Sequence, residues 1–199
     1  PFFIIFNQNL ITMKKVLLTV ATLATVVCVA SFSNTPQPVK LNPAQRLYAS
    51  IMTYAQQYEI PLHIAFNVAR IETGYKGPFH DGYNHKQTSS AGALGPMQIM
   101  PQYASHYAGF KVKKPVLKDS IELNVEISMK MLRDWYNRYN DWGKATGAYN
   151  TGRPIINNYA RNAVKKNYTD HWIKPDSTDV VPDTLEYLSK VDLVAFLKD

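Results

Sequence analysis

From Pro43 onward the apolar positions recur at helical spacing, and no stretch shows the two-residue alternation of a half-buried strand. Leu47, Ile51, Tyr54, Ala55 and Tyr58 fall three or four residues apart, which puts them on one stripe of a first helix. Pro61 opens a second helix at a first-turn position, where its missing N–H costs nothing. Leu62, Ala65, Phe66 and Ala69 mark the buried face of that helix, with a stop near Gly74. A glycine-bearing stretch without periodicity then runs from Gly74 to Gly95. A connection of that length in a compact domain is expected to have a job. Gln98 to Tyr107 predicts a short helix. Asp119-Ser120-Ile121-Glu122 has a capping-box form with Asp119 as the cap. It opens a long helix through Val125, Leu132, Trp135, Tyr136 and Tyr139, with Asp141 near its end. Trp142 to Tyr149 predicts another short helix broken at Gly152. Pro154 restarts one that runs to about Lys166, and Asp183 to Leu197 gives the last. The predicted class is all-α.

The first residues follow a different pattern. Met13-Lys14-Lys15 precedes an uncharged run from Val16 to Ala30, rich in Val, Leu, Ala and Thr. A basic start, a short apolar run and a small-residue exit are the marks of a secretory signal peptide. The run is shorter than the roughly 20 residues a spanning helix needs. Cleavage is expected after Ala30, with Ser33 as a second candidate. Residues 1–12 lack an initiator methionine and read as upstream translated sequence, with Met13 as the start. Cys28 does not make a lipoprotein site, because Val27 is not the small residue such a site prefers. The expected organisation is upstream residues 1–12, signal peptide 13–30, a proline-bearing tether 31–42, and one domain over 43–199. The expected location is periplasmic or secreted, with no membrane span left after cleavage.

Charge and cysteine content narrow the chemistry. Of 199 residues, 22 are Lys or Arg, 15 are Asp or Glu, and one is Cys. One cysteine excludes a disulfide framework, thiolate zinc sites and iron–sulfur clusters. Loss of Lys14 and Lys15 with the leader leaves a net charge of +5. That balance suits anionic partners. Lys111, Lys113, Lys114 and Lys118 come with no groove-reading motif, so cell-wall polymers are expected and nucleic acid is not. His80, Asp81 and His85 fit no zinc spacing, and the stretch from Asp81 has no acid at the twelfth position of a calcium loop. No P-loop or Gly-x-Gly-x-x-Gly sequence occurs. Neither a metal nor a cofactor is expected.

Glu72 closes the second predicted helix directly before the long loop. A carboxylate at a helix C-terminus faces the negative end of the dipole, which disfavours ionisation. Apolar neighbours such as Phe66 and Ile71 would raise its pKa further. A raised-pKa glutamic acid beside a loop is suited to general acid catalysis near neutral pH.

Four segments in order resemble the motifs of the SLT-type, lysozyme-like lytic transglycosylases. They are Ile71-Glu72-Thr73, Gly95-Pro96-Met97-Gln98, Gly147-Ala148-Tyr149-Asn150, and the segment from Pro182 to Leu188 that holds Tyr187. Thr73 stands where the family usually has serine, and Pro96 where it has leucine. The resemblance implies a lysozyme-like helical domain with a long active-site loop. It implies peptidoglycan glycan strands as substrate, cut between N-acetylmuramic acid and N-acetylglucosamine. Glu72 would be the single acid/base, protonating the bridging oxygen and then deprotonating the muramic C6 hydroxyl. That hydroxyl attacks C1 of its own sugar and leaves a 1,6-anhydro end. An internal nucleophile gains effective molarities on the order of 10⁵ M or more, so no second carboxylate is required. By the same resemblance Thr73, Met97, Gln98, Tyr149 and Asn150 are expected around the substrate, with Asn150 on the acetamido group. Tyr187 is expected to face Glu72. Small size also resembles the wall-opening enzymes that accompany secretion, conjugation or pilus machines. Two alternatives stay open at this point. Asp81 as a second carboxylate would make a goose-type lysozyme-like hydrolase, and loss of turnover would leave a glycan-binding module.

Overall fold

The computed structural model describes residues 40–166. The upstream residues, the signal peptide, the tether as far as Val39, the helix expected over Asp183–Leu197 and Tyr187 lie outside the described residues. Seven helices make up the described fold: α1 (Pro43–Gln57), α2 (Leu62–Thr73), α3 (Pro101–Ala108), α4 (Lys114–Asp119), α5 (Ile121–Tyr139), α6 (Trp142–Thr151) and α7 (Asn158–Ala163). Two isolated bridges, Thr88 with Leu94 and Leu94 with Ile99, are the β pairings among the described residues. The all-α expectation holds.

The longest helix, α5, organises the rest. It packs against α1, α3, α4 and α6, while α2 lies against α1 and α7. Leu47, Ile51, Phe66, Ile127, Met129 and Leu132 are fully buried between them. One ion pair is set into this apolar interior. Arg46 of α1 donates from Nε (2.9 Å) and Nη2 (2.7 Å) to the two carboxylate oxygens of Glu122 in α5. The Glu122 side chain has no exposed surface. The bidentate geometry fixes the register of the first helix on the central one, since a buried charge is tolerated only when its lone pairs are met.

Local signals set most boundaries. Asn42 and Gln45 form a reciprocal capping box at the start of α1. Gly74 ends α2 in the left-handed conformation (φ 69°), which glycine adopts without strain. Pro61 precedes α2 instead of lying in its first turn, α3 begins at Pro101 and not at Gln98, and three further boundaries differ from expectation. Asp119 is the last residue of α4, a short helix with Pro115 in its first turn, and the cap of α5 is Ser120, whose hydroxyl accepts from the Leu123 amide. Asp141 belongs to the next element. Asn140 ends α5 at φ 46°, and Asp141 caps α6 by accepting from the Lys144 amide. Pro154 does not restart a helix. The Ile155 carbonyl is pressed against Gly147, where an added Cβ would lie 2.0 Å from its oxygen. The helix begins only after Asn157 supplies a cap, accepting from the Ala160 amide.

The stretch from Gly74 to Met100 has no helix but is firmly anchored. Tyr75 is fully buried and donates its hydroxyl to the Ala44 carbonyl (2.8 Å). Tyr83 is buried with its ring against Tyr75. The Leu94 and Ile99 backbones exchange two hydrogen bonds (2.9 and 3.0 Å), closing a tight loop over Gly95–Gln98.

Candidate active site

Glu72 sits one residue before the end of α2, where α7 crosses. The Tyr159 hydroxyl of α7 donates to Glu72 Oε1 at 2.6 Å. Burial pushes the Glu72 carboxyl up to about 7, against the pull of this hydrogen bond, which favours the charged form. Desolvation wins, so the group changes protonation near neutral pH. Burial and the neighbouring Glu72 charge hold the Tyr159 phenol well above its ordinary value, and it remains a donor.

The Gly95–Gln98 loop is held from three sides, one carbonyl after another. Gly95 O accepts from the Gln98 side-chain amide (2.8 Å), Pro96 O from Thr73 Oγ1 (3.0 Å) and Met97 O from the Tyr149 hydroxyl (2.7 Å). Buried Asn124 of α5 binds the loop from beneath. Its Oδ1 accepts from the Met97 amide (2.9 Å), and its Nδ2 donates to Leu94 O and Leu117 O (2.9 and 3.0 Å). Gly95 is required there on two counts: its φ is +77°, and an added Cβ would lie 2.4 Å from Asn124 Nδ2. Gln98 itself takes a positive φ (51°), an uncommon conformation for a side-chain-bearing residue.

Beside this loop runs a cleft of about 480 Å³ whose walls include Gln98, Tyr103, Tyr107, Trp135, Tyr149 and Asn150. Among the described residues that line it, none is Asp, Glu, Lys or Arg. Tyr149 of the cleft feels the Glu72 charge. Its side chain lines the cleft, and its phenol is pushed well above the ordinary value by burial and then by the Glu72 charge. Its hydrogen goes to the Met97 carbonyl, which can only accept, so Ser128 Oγ (2.9 Å away) is the donor to Tyr149. A lining of aromatic, amide and hydroxyl groups with one imidazole, His106, suits neutral, hydroxyl-rich ligands.

The residues expected at the site divide into two groups. Gln98, Tyr149 and Asn150 line the cleft. Asn150 is exposed, and its Oδ1 accepts from Asn157 Nδ2 at 3.2 Å. Met97 does not face it. That side chain is fully buried in the core, so the expected sugar contact is corrected to a supporting position. Thr73 is also turned inward. It is buried, and its hydroxyl meets Ala69 O, Pro96 O and the Tyr83 hydroxyl, which makes it a tie between helix and loop. Asp81 lies with Gly82 in a turn closed by the Tyr83 amide on His80 O, and lines a different hollow with Asn42 and Pro43. Among the described residues, no three His, Cys, Asp or Glu side chains gather as a metal site. Sequence reasoning missed Tyr159, Asn124 and Ser128. Tyr159 belongs to a short helix whose importance comes only from packing on α2, and Asn124 and Ser128 read as polar interruptions of an amphipathic helix.

Helices packed around a long central one, with the Glu72 carboxyl at the end of the second and an aromatic cleft lined by Tyr149, define a lysozyme-like helical domain. The family model of the transglycosylase SLT domain matches residues 49–172, and the chain belongs to that family. No curated protein matches the chain. Among the described residues no helix is long and apolar enough to cross a membrane.

Proposed function

We propose that this chain is a peptidoglycan lytic transglycosylase that cleaves the β-1,4 bond between N-acetylmuramic acid and N-acetylglucosamine and leaves a 1,6-anhydro end. The observation that carries this reading is the Glu72 carboxyl, poised at about 7, oriented by Tyr159, and with its charge felt by Tyr149 of the cleft. An acid with that pKa gives its proton to the bridging oxygen as the bond breaks and takes one back from the C6 hydroxyl as it attacks C1. No water enters. The proton balance closes on the one carboxyl.

The cleft residues have separate tasks in this reading. Asn150 Oδ1 is engaged by Asn157, which turns the Asn150 amide nitrogen to donate to the acetamido oxygen. Gln98 Nε2 is held on Gly95 O, and its Oε1 accepts from sugar hydroxyls. Trp135, Tyr103 and Tyr107 offer flat apolar surface to the sugar faces. In this reading the wall is the partner, reached after export to the periplasm or the medium, with a secretion, conjugation or pilus machine as a fitting context.

Digestion of purified wall sacculi, with mass spectrometry of the soluble products, tests the reading. The parent is expected to release anhydro-muropeptides, lighter by one water than reducing-end products, and Glu72→Gln to release none. Reducing ends alone would overturn the internal-nucleophile route and favour hydrolysis. Binding without release by both proteins would make the domain a glycan-binding module.

A further inference from the structure

The long loop brings one more side chain to the catalytic end of α2. Tyr83 Oη lies 2.7 Å from Thr73 Oγ1, and Thr73 directly follows Glu72. Thr73 Oγ1 also lies 3.1 Å from Ala69 O and 3.0 Å from Pro96 O. A hydroxyl carries one hydrogen, and both carbonyls can only accept. If Thr73 donated to Tyr83, its oxygen would face two carbonyl oxygens with no hydrogen between them. The hydrogen therefore goes to the carbonyls, and Tyr83 is the donor to Thr73. Tyr83 is buried, with its ring against Tyr75 at 5.2 Å and against His80 at 5.3 Å, so the phenol is held in place independently of Thr73.

We infer that Tyr83 is a positioning residue for the Glu72 site: its hydroxyl commits the Thr73 hydrogen to the Pro96 and Ala69 carbonyls, and so holds the Gly95–Gln98 loop against the catalytic end of α2. The inference rests on the function proposed above. Tyr83 itself reaches neither substrate nor Glu72. Its effect runs through Thr73 to the carbonyl between Gly95 and Met97, and from there to the placement of Gln98 at the cleft. Thr73 Oγ1 without the Tyr83 hydrogen keeps one bond to share and leaves a lone pair unmet in a buried place, which loosens the loop. Asn124 and Tyr149 hold the side of the loop that faces α5 and α6, while Gln87 ties its first residue to α2, donating to Thr73 O (3.1 Å) and accepting from the Gly95 amide (3.0 Å). Only the Thr73 bond holds the Pro96 carbonyl among the contacts described.

The test compares the parent with Tyr83→Phe, Thr73→Ser, Thr73→Val and the double variant Tyr83→Phe/Thr73→Val, by two readouts. The first is hydrogen exchange of the backbone amides of Met97, Gln98 and Ile99, set against those of the core of α5. The second is the rate of product release from sacculi and from soluble glycan oligomers, resolved into kcat and KM. Tyr83→Phe keeps the ring and its packing. It is expected to raise loop exchange and lower kcat by about three- to tenfold, the rate equivalent of one neutral hydrogen bond, with the α5 amides unchanged. Thr73→Ser keeps the hydroxyl and is expected to behave like the parent. The double variant is expected to match Thr73→Val, because Tyr83 acts through Thr73. Parent-like loop exchange in Tyr83→Phe overturns the inference whatever the activity. Raised exchange with parent kcat reduces Tyr83 to a structural tie and also overturns it, as does additivity of the two substitutions. If the parent releases no product, the transglycosylase reading falls on its own, and loop exchange in Tyr83→Phe still decides whether Tyr83 holds the loop.

Discussion

Glu72→Gln isolates the energetic consequence of a carboxyl kept near neutrality. The substitution preserves the volume and an oxygen that accepts from the Tyr159 hydroxyl, and removes the charge. In the folded protein the Glu72 carboxyl sits at about 7, against 4.5 for an ordinary glutamate. Below pH 4.5 both folded and unfolded chains hold the proton, and the charge costs nothing. Between 4.5 and 7 the folded protein keeps a proton that the unfolded chain releases, so stability falls as pH rises. Above 7 both states are ionised and the whole cost is present. At about 1.4 kcal/mol per pH unit, the gap between the two values comes to about 3 kcal/mol. The Gln variant lacks this cost. It is therefore expected to match the parent at pH 4 and to exceed its stability by about 3 kcal/mol at pH 8, an increase of on the order of 10 °C in Tm. Urea unfolding at pH 4, 6 and 8, with a common m-value, measures the difference. A constant difference across that range, or a parent more stable than the variant at pH 8, would refute the reasoning that desolvation sets this carboxyl.

Tyr159→Phe removes the one hydrogen bond that favours ionised Glu72, so the Glu72 pKa is expected to rise above 7 by about 1 to 2 pH units, the worth of a charge-assisted bond. The alkaline limb of the kcat profile should move up by that amount, and an unmoved or acid-shifted limb would show that Tyr159 does not tune the acid. Arg46→Met takes the guanidinium from Glu122, a side chain with no exposed surface, and should cost about 3–5 kcal/mol in urea unfolding. Adding Glu122→Leu should recover most of that loss, and a loss as large in the double variant would place the cost in packing instead. Gly147→Ala drives a Cβ to 2.0 Å from the Ile155 carbonyl oxygen, where backbone must move. A loss of about 1–3 kcal/mol in thermal unfolding is expected, and a neutral outcome would mean that the segment between α6 and α7 yields freely.

Helical spacing was enough to find α1 and α2 and to place Glu72 at a helix end beside a loop, because those features depend on neighbours three and four residues away. The side chains that complete the site depend on distant neighbours. Tyr159 meets Glu72 across 87 positions of sequence, through the packing of α7 on α2. No periodicity encodes that contact. The helix α4 was invisible for a different reason: six residues with Pro115 in the first turn read as a break rather than a start. Ser120 is masked as a cap in the sequence because Asp119 precedes it and satisfies the same residue preference.

The fate of Met97 and Gln98 shows what a short motif can and cannot convey. The two are adjacent, yet one is fully buried and the other lines the cleft. The difference arises because the backbone reverses over Gly95–Gln98, with left-handed conformations at both ends of the turn. Residue identity carries no sign of that reversal, so sequence assigned both side chains to substrate. The geometry divides the labour instead. Gly95, Pro96, Met97 and Thr73 build a loop whose successive carbonyls are each held by a different side chain, and Asn124 locks it to the central helix. Gln98, Asn150 and the aromatic wall are left lining the cleft, and in the proposed function they meet the glycan while Glu72, held by Tyr159, moves the proton. A rigid loop matters for this chemistry in particular. In the proposed reaction one carboxyl is both acid and base, so the sugar would have to be held with its bridging oxygen and its C6 hydroxyl both within reach of the same group. Small misplacements of such a site are expensive in rate, which is a physical reason for so many hydrogen bonds on four residues.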